Sequence, residues 1–150
     1  MLPFLIFLVG SIWLSAIDLK THKLPNQVVA LVSTVLVLAL LFTQPSQVLK
    51  DGFEIAFVYL GTFLLLWFIS KGSLGMGDVK FSFTCGLLVG SFCKNQWLAV
   101  IWIMFALAAF VSAILYLAKK LNRTDRIACG PYMAIATICF VANSLGSGFA

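Results

Sequence analysis

The chain has 150 residues, of which 62% are hydrophobic and 10% charged, and its formal net charge is +5. A soluble domain is typically about 45–50% apolar and about 25% charged, so this composition excludes a water-soluble globular protein and indicates an integral membrane protein. The basic residues stand between apolar segments and not in a run interleaved with aromatic side chains. That distribution favours membrane topology and contact with anionic lipid over binding of nucleic acid.

Six apolar segments follow one another along the chain. They cover roughly 2–17, 27–43, 53–70, 79–93, 97–118 and 128–146, against the ~20 residues that cross a bilayer as a helix. Because lipid offers backbone groups no hydrogen-bond partner, each spanning segment must be helical. The sequence therefore predicts an all-α, polytopic membrane bundle of about six transmembrane helices. It forms a single membrane-embedded domain over residues 1–150, with the first segment retained as a span.

The basic residues are distributed unequally between the two sides that six spans create. Linkers near 18–26, 70–80 and 119–127 contain eight of the ten Lys and Arg residues, and the other side holds only Lys50 and Lys94. Basic residues are enriched on the cytoplasmic side of membrane proteins. We therefore expect these three linkers in the cytoplasm and both termini outside, with residues 43–52 as an outside loop.

The fourth segment has a stripe of small residues, Ser82, Gly86 and Gly90, at four-residue spacing. Small residues allow another helix to approach closely, so this segment is expected to be buried in the bundle. The four cysteines form no CxxC pair and have no histidine nearby, which favours packing roles over a zinc site; they are Cys85, Cys93, Cys129 and Cys139. No metal or other cofactor is expected.

Five acidic residues and one histidine, His22, limit the available chemistry. Asp18 follows the first apolar segment and Asp78 precedes the fourth, so both are expected at cytoplasmic helix ends. Packed helices lie about 8–10 Å apart, and two carboxyl groups at such ends can meet. A close pair shares one proton, so that one carboxylate activates a water while its protonated partner polarises a carbonyl group.

Each of these features also has an interpretation without catalysis. Asp18 alone fits a solvated helix end, and Asp78 alone fits a helix N-cap. Glycines around Asp78 usually indicate a turn, although Gly75 and Gly77 also allow an extended substrate to approach the backbone. Pro25 most simply starts the second helix, and Lys80 and His22 fit an interfacial location.

Three motifs together carry a resemblance that none carries alone: "DLKTHKLPN" at 18–26, "GMGDVKF" at 75–81 and "CGPYMAIA" at 129–136. In the order of these motifs and in the membrane side expected for them, the chain resembles the type IV prepilin peptidases, which are membrane aspartic proteases of the GxGD type. The resemblance implies that Asp18 and Asp78 are the catalytic pair. The other positions that it implies are the motif residues Gly75, Gly77, Gly130 and Pro131, and the candidate substrate contacts Lys80, Lys23 and Asn26.

The resemblance also implies a substrate and a location. Such enzymes cleave the basic leader from pilin-like precursors, just before an apolar helix, at the cytoplasmic face of a prokaryotic cell membrane. Many relatives have an N-terminal insert with paired CxxC motifs, linked to N-methylation, and this sequence shows none. We therefore expect peptidase activity without methylation, as in the short Tad/Cpa-like or preflagellin-peptidase-like forms. Cys129 stands where relatives often have Phe, which concerns only local packing.

Three other functions are also compatible with the sequence. A small transporter or channel also uses intramembrane acids, although usually near the midplane, and ion flux dependent on Asp18 or Asp78 would indicate it. A non-catalytic assembly factor of a pilus or secretion complex would keep the fold without cleavage. A GxGD protease of other specificity would cut within the membrane, which shallow aspartates disfavour.

Overall fold

The computed structural model describes residues 1–21, 25–70, 74–117 and 129–147, and these contain helices and no β-strand. A short 3₁₀ turn, Lys94–Gln96, joins the fourth and fifth α-helices. The predicted all-α class is therefore confirmed. The α-helices are α1 (Leu2–Thr21), α2 (Asn26–Thr43), α3 (Ser46–Ile69), α4 (Met76–Cys93), α5 (Trp97–Leu117) and α6 (Gly130–Ser147).

Two helix starts differ from the prediction. The expected loop at 43–52 is wrong, because α3 already begins at Ser46 with Pro45 as its extended N-cap residue. Gly52, which the loop interpretation placed outside a helix, packs directly on α4, and this contact extends the helix beyond the apolar segment. The N-cap interpretation of Asp78 is also wrong, since Gly75 is the N-cap residue and Asp78 lies within the first turn of α4.

Three stretches are long and apolar enough to cross a membrane: Asn26–Thr43, Ser46–Ile69 and Met76–Val111, the last of which combines α4, the 3₁₀ turn and most of α5. The apolar stretches Leu2–Asp18 and Gly130–Gly146 are shorter. Many large apolar side chains face outward, among them Phe42 and Trp102, as expected for a surface in contact with lipid. Six spans with both termini outside stay a prediction.

Helix α4 lies at the centre of the bundle. Thirteen of its eighteen residues are buried, and it contacts α1, α2, α3, α5 and α6. Its small-residue stripe faces α3: a Cβ at Gly86 would lie 2.8 Å from the Ala56 Cα, and one at Gly90 would lie 2.8 Å from the Gly52 Cα. The predicted burial of this segment is confirmed. Cys85 and Cys93 are buried in the core, whereas Cys139 is exposed.

Polar contacts tie α3 to the junction between α4 and α5. The Lys94 ammonium lies 2.8 Å from the Asp51 carboxylate and 2.7 Å from the Glu54 carboxylate. The Tyr59 hydroxyl donates a hydrogen bond to the carbonyl of Trp97 at 2.8 Å. These contacts hold the end of the bundle at which α4 finishes.

Candidate active site

Asp18 lies near the end of α1 and is only 2% exposed. Its Oδ2 accepts a hydrogen bond from the backbone N–H of Gly130 at 3.2 Å. Gly130 is the first residue of α6, so this bond joins the end of the first helix to the start of the last. The carboxyl group is therefore held inside the bundle by backbone and not left at a solvated helix end.

The local sequence explains why α6 offers this donor. Pro131 has no N–H and is tolerated in the first turn of a helix, where that donor has no partner within the helix. A residue before proline normally avoids the helical conformation because its Cβ meets the proline ring, and Gly130 has no Cβ. The Gly130 N–H is thus left at a helix N-terminus, where the aligned peptide dipoles favour a negative charge.

Asp78 lies in the first turn of α4 and is 6% exposed. Its backbone N–H donates to the Gly75 carbonyl at 3.0 Å, which closes the turn. Its side-chain Oδ1 is buried and has no hydrogen-bond partner among the described residues. Buried polar atoms are nearly always paired, so an exception at this position is a candidate for an atom that acts on a substrate.

Gly75 lies against the carboxyl group of Asp78. A Cβ at Gly75 would stand 2.8 Å from the Asp78 Oδ2, closer than real Cβ contacts allow, so any other side chain would displace the carboxyl group. Gly77 is buried one residue before Asp78 in the same turn. Both motif glycines therefore lie next to the acid, and the absence of a side chain at Gly75 is what lets the Asp78 carboxyl group take its position.

The carboxyl groups of Asp18 and Asp78 lie close enough to interact electrostatically, so the structure brings together the two acids that the sequence singled out. The thiol of Cys129, just before α6, interacts with both. Burial, followed by the Asp78 and Asp18 carboxylates, raises the pKa of the Cys129 thiol to about 12, so it stays neutral at physiological pH. Nothing in the sequence indicated this proximity, which depends on how α6 packs in the bundle.

The remaining candidate residues lie at other places in the bundle or outside the described residues. Lys80 is exposed and lines a pocket of about 260 Å³ with residues of α2 and α3, including Ser33. Asn26 is exposed at the start of α2. Pro131 lines a groove of about 370 Å³ between α1 and α6, together with Ser15. Lys23, like His22, lies outside the residues that the structure describes.

The described residues contain no group of three or more His, Cys, Asp or Glu side chains placed to hold a metal ion. What they offer is a buried pair of carboxyl groups, one bonded to a helix N-terminus and one with an unpaired oxygen. Two close carboxyl groups share a proton and can act together as general base and general acid. Hydrolysis by an activated water is the chemistry that this arrangement supports.

Comparison with protein families identifies a peptidase family. The model of the type IV leader peptidase family matches residues 5–118, a segment that includes Asp18, Gly75, Gly77, Asp78 and Lys80, whereas Gly130 and Pro131 lie beyond it. No curated protein and no solved structure matched the chain significantly.

Proposed function

Because the chain belongs to the type IV leader peptidase family, we propose that it is a membrane aspartic endopeptidase that cleaves the leader from type IV prepilin-like precursors. The observation that carries the proposal is that Asp18 of α1 and Asp78 of α4 are both buried and close enough to interact electrostatically. The described residues contain two other acids, Asp51 and Glu54. Both form ion pairs with Lys94, at the C-terminal end of α4.

In this mechanism a water molecule binds between the two carboxyl groups. One carboxylate removes a proton from the water, while the protonated partner donates to the carbonyl oxygen of the scissile bond. Gly75 and Gly77 leave the backbone beside Asp78 open to an extended substrate segment. An extended segment is needed because the amide groups of a helix are already bonded and shielded.

The proposed substrate has a basic leader, a cleavage site and then an apolar helix. The apolar helix lies in the lipid beside the bundle, and the cleavage site reaches the aspartates at the membrane face. The basic linkers favour the cytoplasmic face of a prokaryotic cell membrane, with pilin or pseudopilin precursors of pilus or secretion systems as partners. Hydrolysis at this site uses no cofactor.

Cleavage by the purified protein in liposomes tests the proposed function. The protein is mixed with a prepilin, and the products are identified by mass spectrometry. We expect release of the leader at one bond just before the apolar helix. Cleavage inside the apolar segment would indicate a GxGD protease of other specificity. Binding of the prepilin without cleavage would indicate an assembly factor, and ion flux that requires the aspartates would indicate a transporter. Any of these three results would overturn the proposal.

Gly75→Ala is expected to slow cleavage without unfolding the protein. The added Cβ would stand 2.8 Å from the Asp78 Oδ2, so the carboxyl group must shift, and a displacement of ~1 Å in a catalytic group costs about 100-fold in rate. Initial rates measured in liposomes check this. The neighbouring Met76→Ala is the matched control, because Met76 is 46% exposed; equal rates for both variants would show that Gly75 does not position Asp78.

Charge reversal at Lys80 tests a substrate contact. Lys80 is exposed two residues after Asp78 and lines the pocket between α2 and α4, where it can meet an acidic side chain of the substrate after the cleavage site. Lys80→Glu is expected to slow cleavage several-fold, and more than Lys80→Ala, for a substrate with that acid. Lys80 does not contact the substrate acid if both variants cleave as fast as wild type. The same conclusion follows if removing that acid from the substrate leaves the difference in rate between the two variants unchanged.

A further inference from the structure

We propose that the two aspartates have fixed and different roles in the resting protein: Asp18, held by the Gly130 N–H, carries the negative charge, and Asp78 carries the shared proton. Asp18 is then the general base and Asp78 the general acid, and this assignment of catalytic roles rests on the proposed peptidase function. The backbone N–H of Gly130 is a positioning group, because it acts on the reaction through Asp18.

The environment of Asp18 stabilises a negative charge. Its Oδ2 accepts the 3.2 Å hydrogen bond from Gly130 at the start of α6, and a hydrogen bond to an ionised acceptor is roughly twice as strong as one between neutral groups. Pro131 has no backbone N–H to donate, and the N–H of Gly130 is the donor at the N-terminus of this helix. The dipole of α6 adds a favourable interaction with an anion at the same place.

The environment of Asp78 favours a protonated carboxyl group. Its Oδ1 is buried without a partner among the described residues, and an unpaired buried oxygen costs more on an ionised group than on a neutral one. The N-terminus of its own helix, α4, and a backbone hydrogen bond from Gly75 also favour charge on Asp78. These effects are smaller than the cost of leaving the buried Oδ1 of an ionised carboxylate without a partner. Because two adjacent carboxylates do not both ionise readily, the charge resides on Asp18.

The other titratable groups near Asp18 leave this assignment intact. In the described part of the chain, Cys129 and Tyr132 interact electrostatically with Asp18. A phenol ordinarily ionises near pH 10, and burial raises the pKa of the Cys129 thiol to about 12. Both groups are therefore neutral near pH 7 and place no charge beside the pair.

The assignment determines the path of each proton. Asp18 takes a proton from the water as its oxygen bonds to the carbonyl carbon, and Asp78 gives its proton to the carbonyl oxygen. Asp18 then passes its proton to the amide nitrogen as the C–N bond breaks. Asp78 recovers a proton from the intermediate as the carbonyl group re-forms, so both carboxyl groups return to their starting states.

Isotope-edited infrared spectroscopy tests the assignment without a substrate. Aspartate labelled with ¹³C in its carboxyl group is introduced at position 18 or position 78 by cell-free translation with a suppressor tRNA. We expect the band of a protonated carboxyl group to shift for the label at 78 and to stay in place for the label at 18. A shift with the label at 18, a shift with both labels, or a shift with neither would overturn the proposal.

Replacing the Gly130 amide by an ester tests the positioning role. Glycolic acid at position 130, introduced with the same suppressor tRNA, removes the N–H and leaves the side chain unchanged. At the start of a helix this N–H has no intrahelical partner. The ester also makes the Cys129 carbonyl a weaker acceptor for the Met133 N–H, an effect that any backbone ester has on the carbonyl before it. We expect about a 10-fold loss of kcat/KM near pH 7 and an acid limb of the pH–rate profile moved to higher pH, because a proton then competes better for Asp18.

Glycolic acid at Gly61, an exposed position within α3, is the matched control. It removes an intrahelical hydrogen bond, so it is at least as disruptive to folding, and its acid limb should coincide with that of wild type. A Gly130 ester with an unchanged acid limb would refute the positioning role. If the ester is inactive at every pH, the label at 18 is measured in the ester protein: a protonated-carboxyl band that now shifts supports the positioning role, and one that does not refutes it. If the infrared assignment holds while no prepilin is cleaved, the proposed function fails and the protonation pattern stands.

Discussion

Asp18→Asn and Asp78→Asn are each expected to abolish leader cleavage, with rates lower by roughly 10²–10⁴-fold, the usual contribution of general acid–base catalysis. Asparagine keeps the shape of the side chain and can neither accept nor release the proton that the pair shares. The two acids should act as one unit, since their carboxyl groups interact electrostatically. The double variant is therefore expected to be no slower than the slower single variant, because effects within a catalytic unit are not additive.

Co-expression with a prepilin measures this effect. Leader removal is followed by gel shift and mass spectrometry, and membrane insertion of each variant is checked by its level in the membrane fraction. Asp51→Asn is the matched control, because Asp51 belongs to the ion pair with Lys94 at the other end of α4. We expect it to cleave at the rate of wild type.

The outcome separates the competing interpretations of the acids. If both single variants still cleave while present in the membrane, the carboxyl groups are structural and the chemistry lies elsewhere. If only one of them is inactive, a two-carboxylate mechanism is wrong, because either member alone should be insufficient. Loss of cleavage in Asp51→Asn as well would indicate a defect of the fold and not of the site.

The helical class and the identity of the acidic pair could be predicted from the sequence for physical reasons. A chain with 62% hydrophobic residues must satisfy its backbone within helices if it lies in lipid. Charged groups are so costly in that environment that few acids remain, and Asp18 and Asp78 stand next to apolar segments on the side that holds most of the basic residues. The scarcity of acids makes Asp18 and Asp78 conspicuous in the sequence alone.

The helix starts were harder to predict, because they depend on contacts between helices. Polar residues 46–52 resemble a loop by composition, yet they are helical, and Gly52 packs on α4. In the same way, "GMGD" resembles a turn that ends in an N-cap residue. The helix instead begins at Met76, and Asp78 is buried in its first turn. Hydropathy describes the preference for lipid and contains no information on which neighbour covers a polar turn.

The hydrogen bond from Gly130 to Asp18 could not be predicted from spacing. It joins residues 112 positions apart, and only the packing of α1 on α6 brings them together. The Gly-Pro pair does predict the start of a helix, but the anion that this helix end meets is a property of the assembled bundle. The proximity of Cys129 to both acids has the same origin.

Gly90→Ala and Gly86→Ala are expected to destabilise the protein, each by about 1–3 kcal/mol, the usual cost of overpacking a core. A Cβ at Gly86 would lie 2.8 Å from the Ala56 Cα and 2.9 Å from the Ile55 carbonyl oxygen, and one at Gly90 would lie 2.8 Å from the Gly52 Cα. These neighbours are backbone atoms, so no side-chain rotation relieves the contact. The helices α3 and α4 must therefore move apart.

Gly61→Ala provides the matched control, because nothing lies within 4 Å of where its Cβ would be. All three substitutions gain the same helix propensity, about 0.8–1 kcal/mol, so the difference between them isolates the packing term. Thermal unfolding in detergent or nanodiscs measures it: Gly61→Ala should be neutral or more stable, and the other two less stable. Equal midpoints for all three variants would show that α3 and α4 separate at no cost.

The same variants connect packing to the site, because α4 carries Asp78 in its first turn. At 1.5 Å per residue, Gly86 lies about 12 Å along the helix from Asp78 and Gly90 about 18 Å. A forced displacement of α4 at Gly86 therefore changes the position of the Asp78 carboxyl group relative to Asp18 more than one at Gly90 does. At temperatures where both variants are folded, Gly86→Ala should cleave more slowly than Gly90→Ala, and the reverse order would mean that the α3–α4 crossing does not set the spacing of the two acids.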